Sequence, residues 1–405
     1  MANLGHAETL PLSTPSRGAA GAGTSQRFYH PELDALRFFA FICVFLHHAK
    51  SHYHVTAVAA AAIGGVGDSG GGHDSYLGHL WKTFHFSLCS GVSLFFFLSA
   101  YLITTLLIME AEKTGTVHIR SFYVRRALRI WPLYFTYLFI LLVLGWFVPF
   151  GRLSHGEAFS LVGFYENWYK IRHATETAAL AGMLWSISIE EQFYVLSPLA
   201  GRVLKKSGMF ILAALAFAFA CLVLWWFQAH GEFRDGVLRF NTFVQMIFLI
   251  GGVLTALVIY KRTIRIPIVL RPLMVAAGLG AWLIGFLKFG EVSSQATFST
   301  TQPLLSYLAV LVGVVLIFFA FFGLDAKWIP RQAIYLGKIS YGLYIWHILA
   351  IWIVELILGG IAPAIALPVV ALIATVVIAW ASYRWLEKPF LSLKERFTLV
   401  ESRSA

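Results

Sequence analysis

Apolar residues run along this chain in blocks of about twenty, separated by short polar stretches, and a block of that length crosses a bilayer as one α-helix. Ten such spans are predicted, near 33–52, 85–108, 127–149, 183–203, 208–229, 240–260, 272–289, 303–323, 337–358 and 363–384. The run HGEAFSLVGFYENW (155–168) is apolar but too short to cross, and it reads as re-entrant or interfacial. Residues 1–27 are small and polar with no apolar signal-type core, so they read as a disordered cytoplasmic tail rather than a signal peptide. The first span then serves as its own insertion signal. The Ala/Gly-rich segment AVAAAAIGGVGDSGGGHDS (57–75) is expected to be mobile, and residues 391–405 to form a second tail. The pattern carries no internal repeat, and no polar stretch approaches the roughly 50 residues a soluble domain needs. The expected fold is therefore all-α: a polytopic integral membrane protein of about ten transmembrane helices.

Composition agrees. Hydrophobic residues make up 59% of the chain and charged ones 13%, about half the share of a soluble protein. Cys43, Cys89 and Cys221 all lie in apolar runs and read as small hydrophobes rather than a disulfide framework. The net charge of +11 could suggest nucleic acid, but its distribution explains it otherwise. With both termini cytoplasmic, twenty-three of the 31 Lys and Arg fall on one face, including Arg120, Arg125, Arg126 and Arg129, Lys205 and Lys206, Arg262 and Arg265, and Lys388 and Lys394. That is the positive-inside pattern. The basic balance orients the protein in a bilayer, and no nucleic-acid partner is expected.

Ionisable groups inside spans are costly, so each is a candidate for function. Arg37 and His48 are eleven residues apart in the first span, which puts them on one helix face about 16 Å apart along the axis. Two readings stand: Arg37 as a snorkelling anchor with His48 bonded to a neighbouring helix, or the two as ends of a polar track. His47 points away from that face. Arg126 and Arg129, three apart, share a face at the cytoplasmic entrance of the third span, with Pro132 and Tyr134 just inside. They suit membrane anchoring, and also phosphate binding, because guanidinium forks match phosphate oxygens. In LWSISIEEQFY (184–194), Glu190 and Glu191 lie where an anchoring role cannot explain them, with Tyr194 on the face of Glu190. His347 in LGKISYGLYIWHI reads first as a structural hydrogen-bonder, with Glu355 two turns on. In YRWLEKPF, Glu387 and Pro389 close the tenth span.

These segments, in this order, resemble the membrane acyltransferase-3 family of bacterial acyltransferases. The opening Leu33-Asp34-Ala35-Leu36-Arg37 with His48 is similar to its first-span pattern, and GVSLFFFLSAYLITTLL (91–107) to its second. RALR (126–129), WSISIEEQFY (185–194), SYGLYIWH (340–347) and EKP (387–389) resemble its later motifs, so the likeness covers about 28–390. Two positions depart from the pattern: the family Asp in span two is Ser93 here, and its Gly is Ala100. No SGNH-type esterase segment follows the last span, so a single transmembrane acyltransferase domain is expected.

The resemblance implies transfer of an acyl group, expected to be acetyl, from acyl-CoA to a hydroxyl of a sugar-containing acceptor. The acceptor classes are a surface or exported polysaccharide, a lipid-linked sugar or a glycosylated metabolite. The setting implied is the bacterial cytoplasmic (inner) membrane, and no metal is expected. Under this reading Arg37, Arg126, Arg129 and Tyr134 bind the CoA. His48 serves as base or as nucleophile, with Glu190 orienting it or balancing its charge. Trp185, Tyr194 and His347 are substrate-binding or structural polar residues. The rival class is a transporter or flippase, in which the same charges line a pathway; a membrane-bound O-acyltransferase of another type would not carry this motif order.

Overall fold

The computed structural model describes residues 29–52, 76–147, 152–173, 178–231, 236–289, 291–292, 298–300, 302–359, 361–363, 365–398 and 400. The expected tail 1–27 and the whole Ala/Gly-rich segment 57–75 lie outside these residues.

The chain folds into α1 (Pro31–His52), α2 (Tyr76–Ser87), α3 (Gly91–Thr114), α4 (Ile119–Phe147), α5 (His155–Val162), α6 (Glu166–Arg172), α7 (Trp185–Val203) and α8 (Lys206–His230). The one-turn α9 (Val237–Phe240) leads into α10 (Thr242–Ile259), α11 (Leu270–Lys288), α12 (Pro303–Phe321), α13 (Arg331–Lys338), α14 (Ser340–Leu358) and α15 (Ala366–Ser382). A π-helical turn, Tyr383–Glu387, then joins α16 (Lys388–Glu395). An antiparallel pair of two-residue strands, Glu291–Val292 with Phe298–Ser299, completes the described elements. The protein is an all-α polytopic membrane protein.

Among the described residues eight helical stretches are long and apolar enough to cross a bilayer. The two further expected spans are α1, 22 residues long, and α7, 19 residues long. These two fall short in hydropathy because they hold Glu32, Asp34 and Arg37, and Glu190 and Glu191. Their charges are turned inward against other helices, which makes lipid-facing apolarity unnecessary. An 18-residue apolar window in each of 76–114 and 242–259 has 67% of its residues buried, against 22% in 206–230, so α3 and α10 form the centre and α8 the rim.

Close approach at the centre depends on glycine. A Cβ on Gly252 of α10 would come within 2.1 Å of the Phe97 carbonyl oxygen on α3. One on Gly337 of α13 would reach 1.8 Å from the Asp34 carbonyl oxygen, so α13 lies against the start of α1. Without side chains there, helix backbones can touch, as they do in membrane bundles.

The short run expected to be re-entrant or interfacial folds as a hairpin of α5 and α6. Ser154 caps α5 by accepting from Glu157 N, and the tip residue Phe164 turns at φ +55°. Phe164 stacks on Trp131 and lies 4.9 Å, ring to ring, from Tyr134, both on α4, and its carbonyl accepts from Gln192 of α7. The tip therefore reaches mid-helix residues.

The segment expected as a tail from 391 is helical to Glu395 and packs on α4. Arg125 Nη1 donates to the Phe397 carbonyl at 2.8 Å. The starts of α1 and α4, helix α13 and helix α16 thus gather at one end of the bundle, which also carries the basic loops.

Candidate active site

Five helices surround an inner cavity of roughly 90 Å³: α1 gives Arg37, α3 gives Ser99, and α4 gives Arg126 and Arg129. Helix α7 adds Ser186, Glu190 and Tyr194, and α14 adds Ser340, Tyr341 and Tyr344. On α7 the i,i+4 spacing lets the Tyr194 hydroxyl donate to Glu190 Oε2 at 2.7 Å. Tyr194 has one proton, so the 2.6 Å contact with Ser99 is donated by the serine. The result is a chain Ser99→Tyr194→Glu190.

The Arg126 guanidinium lies 5.6 Å from the ring centroids of both Tyr194 and Phe122, a cation–π seat that fixes its position. Arg37 stands 3.6 Å from Asp34. Among the described residues neither Arg126 nor Arg129 has a carboxylate within 4.0 Å. Three guanidiniums around Glu190 leave the cavity cationic, a composition that needs an anion.

A second cavity of roughly 70 Å³ adjoins the first at the basic end, and Arg126 and Arg129 line both. The two arginines are therefore the shared wall of a two-chambered passage. Arg125, by contrast, is committed: its Nη2 donates to Glu110 Oε2 at 2.7 Å.

At the far side of the inner cavity two imidazoles meet. His347 Nε2 lies 3.0 Å from His48 Nδ1, and His347 Nδ1 lies 2.5 Å from the Tyr344 carbonyl. A carbonyl can only accept, so His347 Nδ1 carries the proton and, in the neutral ring, Nε2 is the acceptor. His48 Nδ1–H then donates to it, which places the lone pair of His48 on Nε2. Tyr344 lines the cavity, and His347 follows it by three residues on α14, about 4.5 Å along the axis. The imidazole pair thus lies about one turn beyond the chamber that holds the arginines.

The sequence-predicted residues sort as follows. Arg37, Arg126, Arg129, Glu190 and Tyr194 converge on one cavity. Glu190 accepts from Tyr194, and His48 lies within hydrogen-bonding distance of His347. Tyr134, grouped with the CoA ligands by sequence, is fully buried and outside the cavity lining: its hydroxyl donates to the Leu161 carbonyl and so holds the α5–α6 hairpin. Trp185 is buried edge-on to Phe96 and Phe240 with Arg239 over its face, while its neighbour Ser186 lines the cavity. The His47 ring packs edge-on against Phe86 and His48. Glu191 Oε1 is buried without a hydrogen-bond partner among the described residues. Sequence reading missed Ser99, Ser340, Tyr341 and Tyr344 as lining residues. The signal for two of them was present, since Ser340, Tyr344 and His347 follow helical spacing on one face.

A family profile described as an acyltransferase domain matches residues 30–384. The chain is 28% identical over 386 residues to "Putative peptidoglycan O-acetyltransferase YrhL" of Bacillus subtilis, covering 90% of this chain and 55% of that protein. It is 27% identical over 326 residues to the peptidoglycan O-acetyltransferase OatA of Listeria monocytogenes, covering 74% of this chain and 50% of that one. The chain thus spans about half the length of these curated relatives. No solved structure gives a significant match.

Proposed function

Since the chain belongs to the membrane acyltransferase-3 family, and is accordingly an acyltransferase, we propose that it moves an acetyl group from acetyl-CoA to a hydroxyl of a carbohydrate acceptor. Its place is the bacterial cytoplasmic membrane, with the basic end facing the cytoplasm where acyl-CoA is made. The observation that carries this reading is the arginine pair: Arg126 and Arg129 border both chambers with no carboxylate within 4.0 Å among the described residues, and the imidazole pair lies about one turn of α14 beyond the inner chamber. Relatives whose names specify O-acetyl transfer to peptidoglycan support a sugar polymer as acceptor. Family membership decides against the transporter or flippase reading.

The donor enters from the basic end. Its phosphates pair with Arg126 and Arg129 as charge-assisted forks, and Arg37 completes the cationic wall. The pantetheine arm runs past Ser99, Ser186 and Tyr344 towards His48. Arg37 and His48 are about 16 Å apart along α1, a span comparable with an extended pantetheine arm.

His48 Nε2 then takes the proton of the acceptor hydroxyl, and the oxygen attacks the thioester carbonyl carbon. The C–S bond breaks, and the imidazolium returns the proton to the departing CoA thiolate. Throughout, His48 Nδ1–H keeps its bond to His347, which holds the tautomer and stabilises the imidazolium. The same geometry serves a two-step route, in which Nε2 itself attacks the thioester and the acceptor then attacks the acyl-imidazole. Rapid quenching followed by peptide mass spectrometry separates the two, since only the second leaves an acyl group on His48.

The reading is tested with purified protein in lipid nanodiscs. It predicts CoA binding and turnover of acetyl-CoA, both greatly weakened by Arg129→Ala. A protein that neither binds CoA nor consumes acetyl-CoA, and is indifferent to Arg129→Ala, contradicts it.

A further inference from the structure

The outer chamber contains a cation that the reaction as described does not use. Lys394 of α16 lines it together with Arg125, Arg126, Arg129 and Glu110. Arg125 is spent on Glu110 and on the Phe397 carbonyl, and Glu110 Oε1 also accepts from the His118 backbone N–H at 2.8 Å. Glu110, the one carboxylate among the described residues of the wall, thus already accepts on both oxygens. Lys394 has no carboxylate within 4.0 Å among the described residues, and it is half-buried facing Arg126 and Arg129. Gathering three like charges around one small chamber is unfavourable unless an anion sits between them.

Position tells which anion. Arg126 and Arg129 border both chambers and Lys394 borders only the outer one. A thioester whose reactive end lies in the inner chamber and whose diphosphate meets the arginine pair must place its remaining part, the ribose with its 3′-phosphate, outward. A phosphomonoester carries about −1.5 to −2 charges at neutral pH and so matches a free ammonium beside two guanidiniums. The C-terminal helix is held in place for this contact, because the Arg125–Phe397 hydrogen bond ties the end of α16 to α4, and the Thr398 hydroxyl closes that end by donating to the Lys394 carbonyl at 3.2 Å.

We propose that Lys394 is the ligand of the donor's 3′-phosphate, so that the C-terminal helix selects CoA thioesters over their dephospho and pantetheine counterparts. This rests on the acyl-CoA reading above. The shared chemistry is a phosphate monoester at a basic membrane face, which an anionic lipid headgroup could also supply, and the test separates the two.

Binding of CoA and of 3′-dephospho-CoA is measured calorimetrically on the full chain in nanodiscs of neutral lipid and again with anionic lipid added. The wild type is expected to bind CoA about tenfold or more tighter than dephospho-CoA, the worth of one charged hydrogen bond. Lys394→Gln should lose that preference with dephospho-CoA affinity unchanged, and Lys394→Arg should restore it. The wild-type comparison needs no variant, so a folding defect cannot mask the answer. Equal affinities for the two ligands in wild type, or a preference that survives Lys394→Gln, overturns the assignment alone. So does CoA affinity that follows anionic lipid content rather than the 3′-phosphate, which makes the chamber a headgroup site. A wild type that binds neither ligand overturns the acyl-CoA reading beneath it as well.

Discussion

His347 Nε2 lies 3.0 Å from His48 Nδ1, which couples two imidazoles 299 positions apart in the chain. Because the Tyr344 carbonyl fixes the proton on the other nitrogen of His347, this single contact sets the tautomer of both rings.

Removing His347 therefore leaves His48 in place without its orienting acceptor. His347→Ala is expected to lower kcat by roughly 100-fold, within the range of a misoriented general base, with donor affinity unchanged. Steady-state kinetics beside calorimetric CoA binding checks this. His347→Gln, which can still accept from His48, should recover part of the rate, and its pH–rate profile should differ from that of wild type. A purely structural role predicts neither recovery nor altered profile.

Under the proposed reading Glu190 would compete with the donor for the arginines that line its cavity. Glu190→Gln removes that competitor, adding one positive charge to the inner cavity. CoA binding is expected to tighten by about fivefold, corresponding to about 1 kcal/mol, with a steeper loss of affinity on adding salt. Weaker CoA binding by a well-folded Glu190→Gln protein would place the carboxylate in a different role.

Tyr134 separates sequence reading from structure. Grouped with the CoA ligands, it would lower donor affinity when truncated. With its hydroxyl on the Leu161 carbonyl, Tyr134→Phe should cost about 1 kcal/mol of stability, seen as a lowered Tm in detergent, and leave CoA affinity as it was.

Gly252 is a test of the packing centre. The Cβ of Gly252→Ala would overlap the Phe97 carbonyl at 2.1 Å, forcing α3 and α10 apart at a cost of about 1–3 kcal/mol. The readout is thermal stability, and Gly115→Ala, which opens on space but sits at φ +77°, should show only the smaller strain of a left-handed turn.

Much of the architecture was legible because lipid solvent imposes a length on every apolar run. The two helices least like lipid spans, α1 and α7, carried the site for the same reason they fell short: their charges face one another. Within one helix the site was legible too. Arg37 and His48 share a face by simple periodicity, and Tyr194 lies beside Glu190 at i,i+4 spacing, hydrogen-bonded at 2.7 Å. Between helices it was not. Nothing in local spacing pairs His48 with His347, or sends the Tyr134 hydroxyl to the α5–α6 hairpin rather than to the arginines about one and a half to two turns earlier on α4. Those choices are made by tertiary packing, and apolar periodicity is silent about which face meets which neighbour.

The central claim is that His48 handles the proton or the acyl group of the transfer while the arginine chamber holds the donor. One measurement tests it most directly: acetyl-CoA turnover by His48→Ala, alongside CoA binding by the same sample. The account predicts turnover reduced by roughly 100-fold or more with CoA affinity and thermal stability preserved. Turnover at the wild-type rate in a protein that still binds CoA would contradict it.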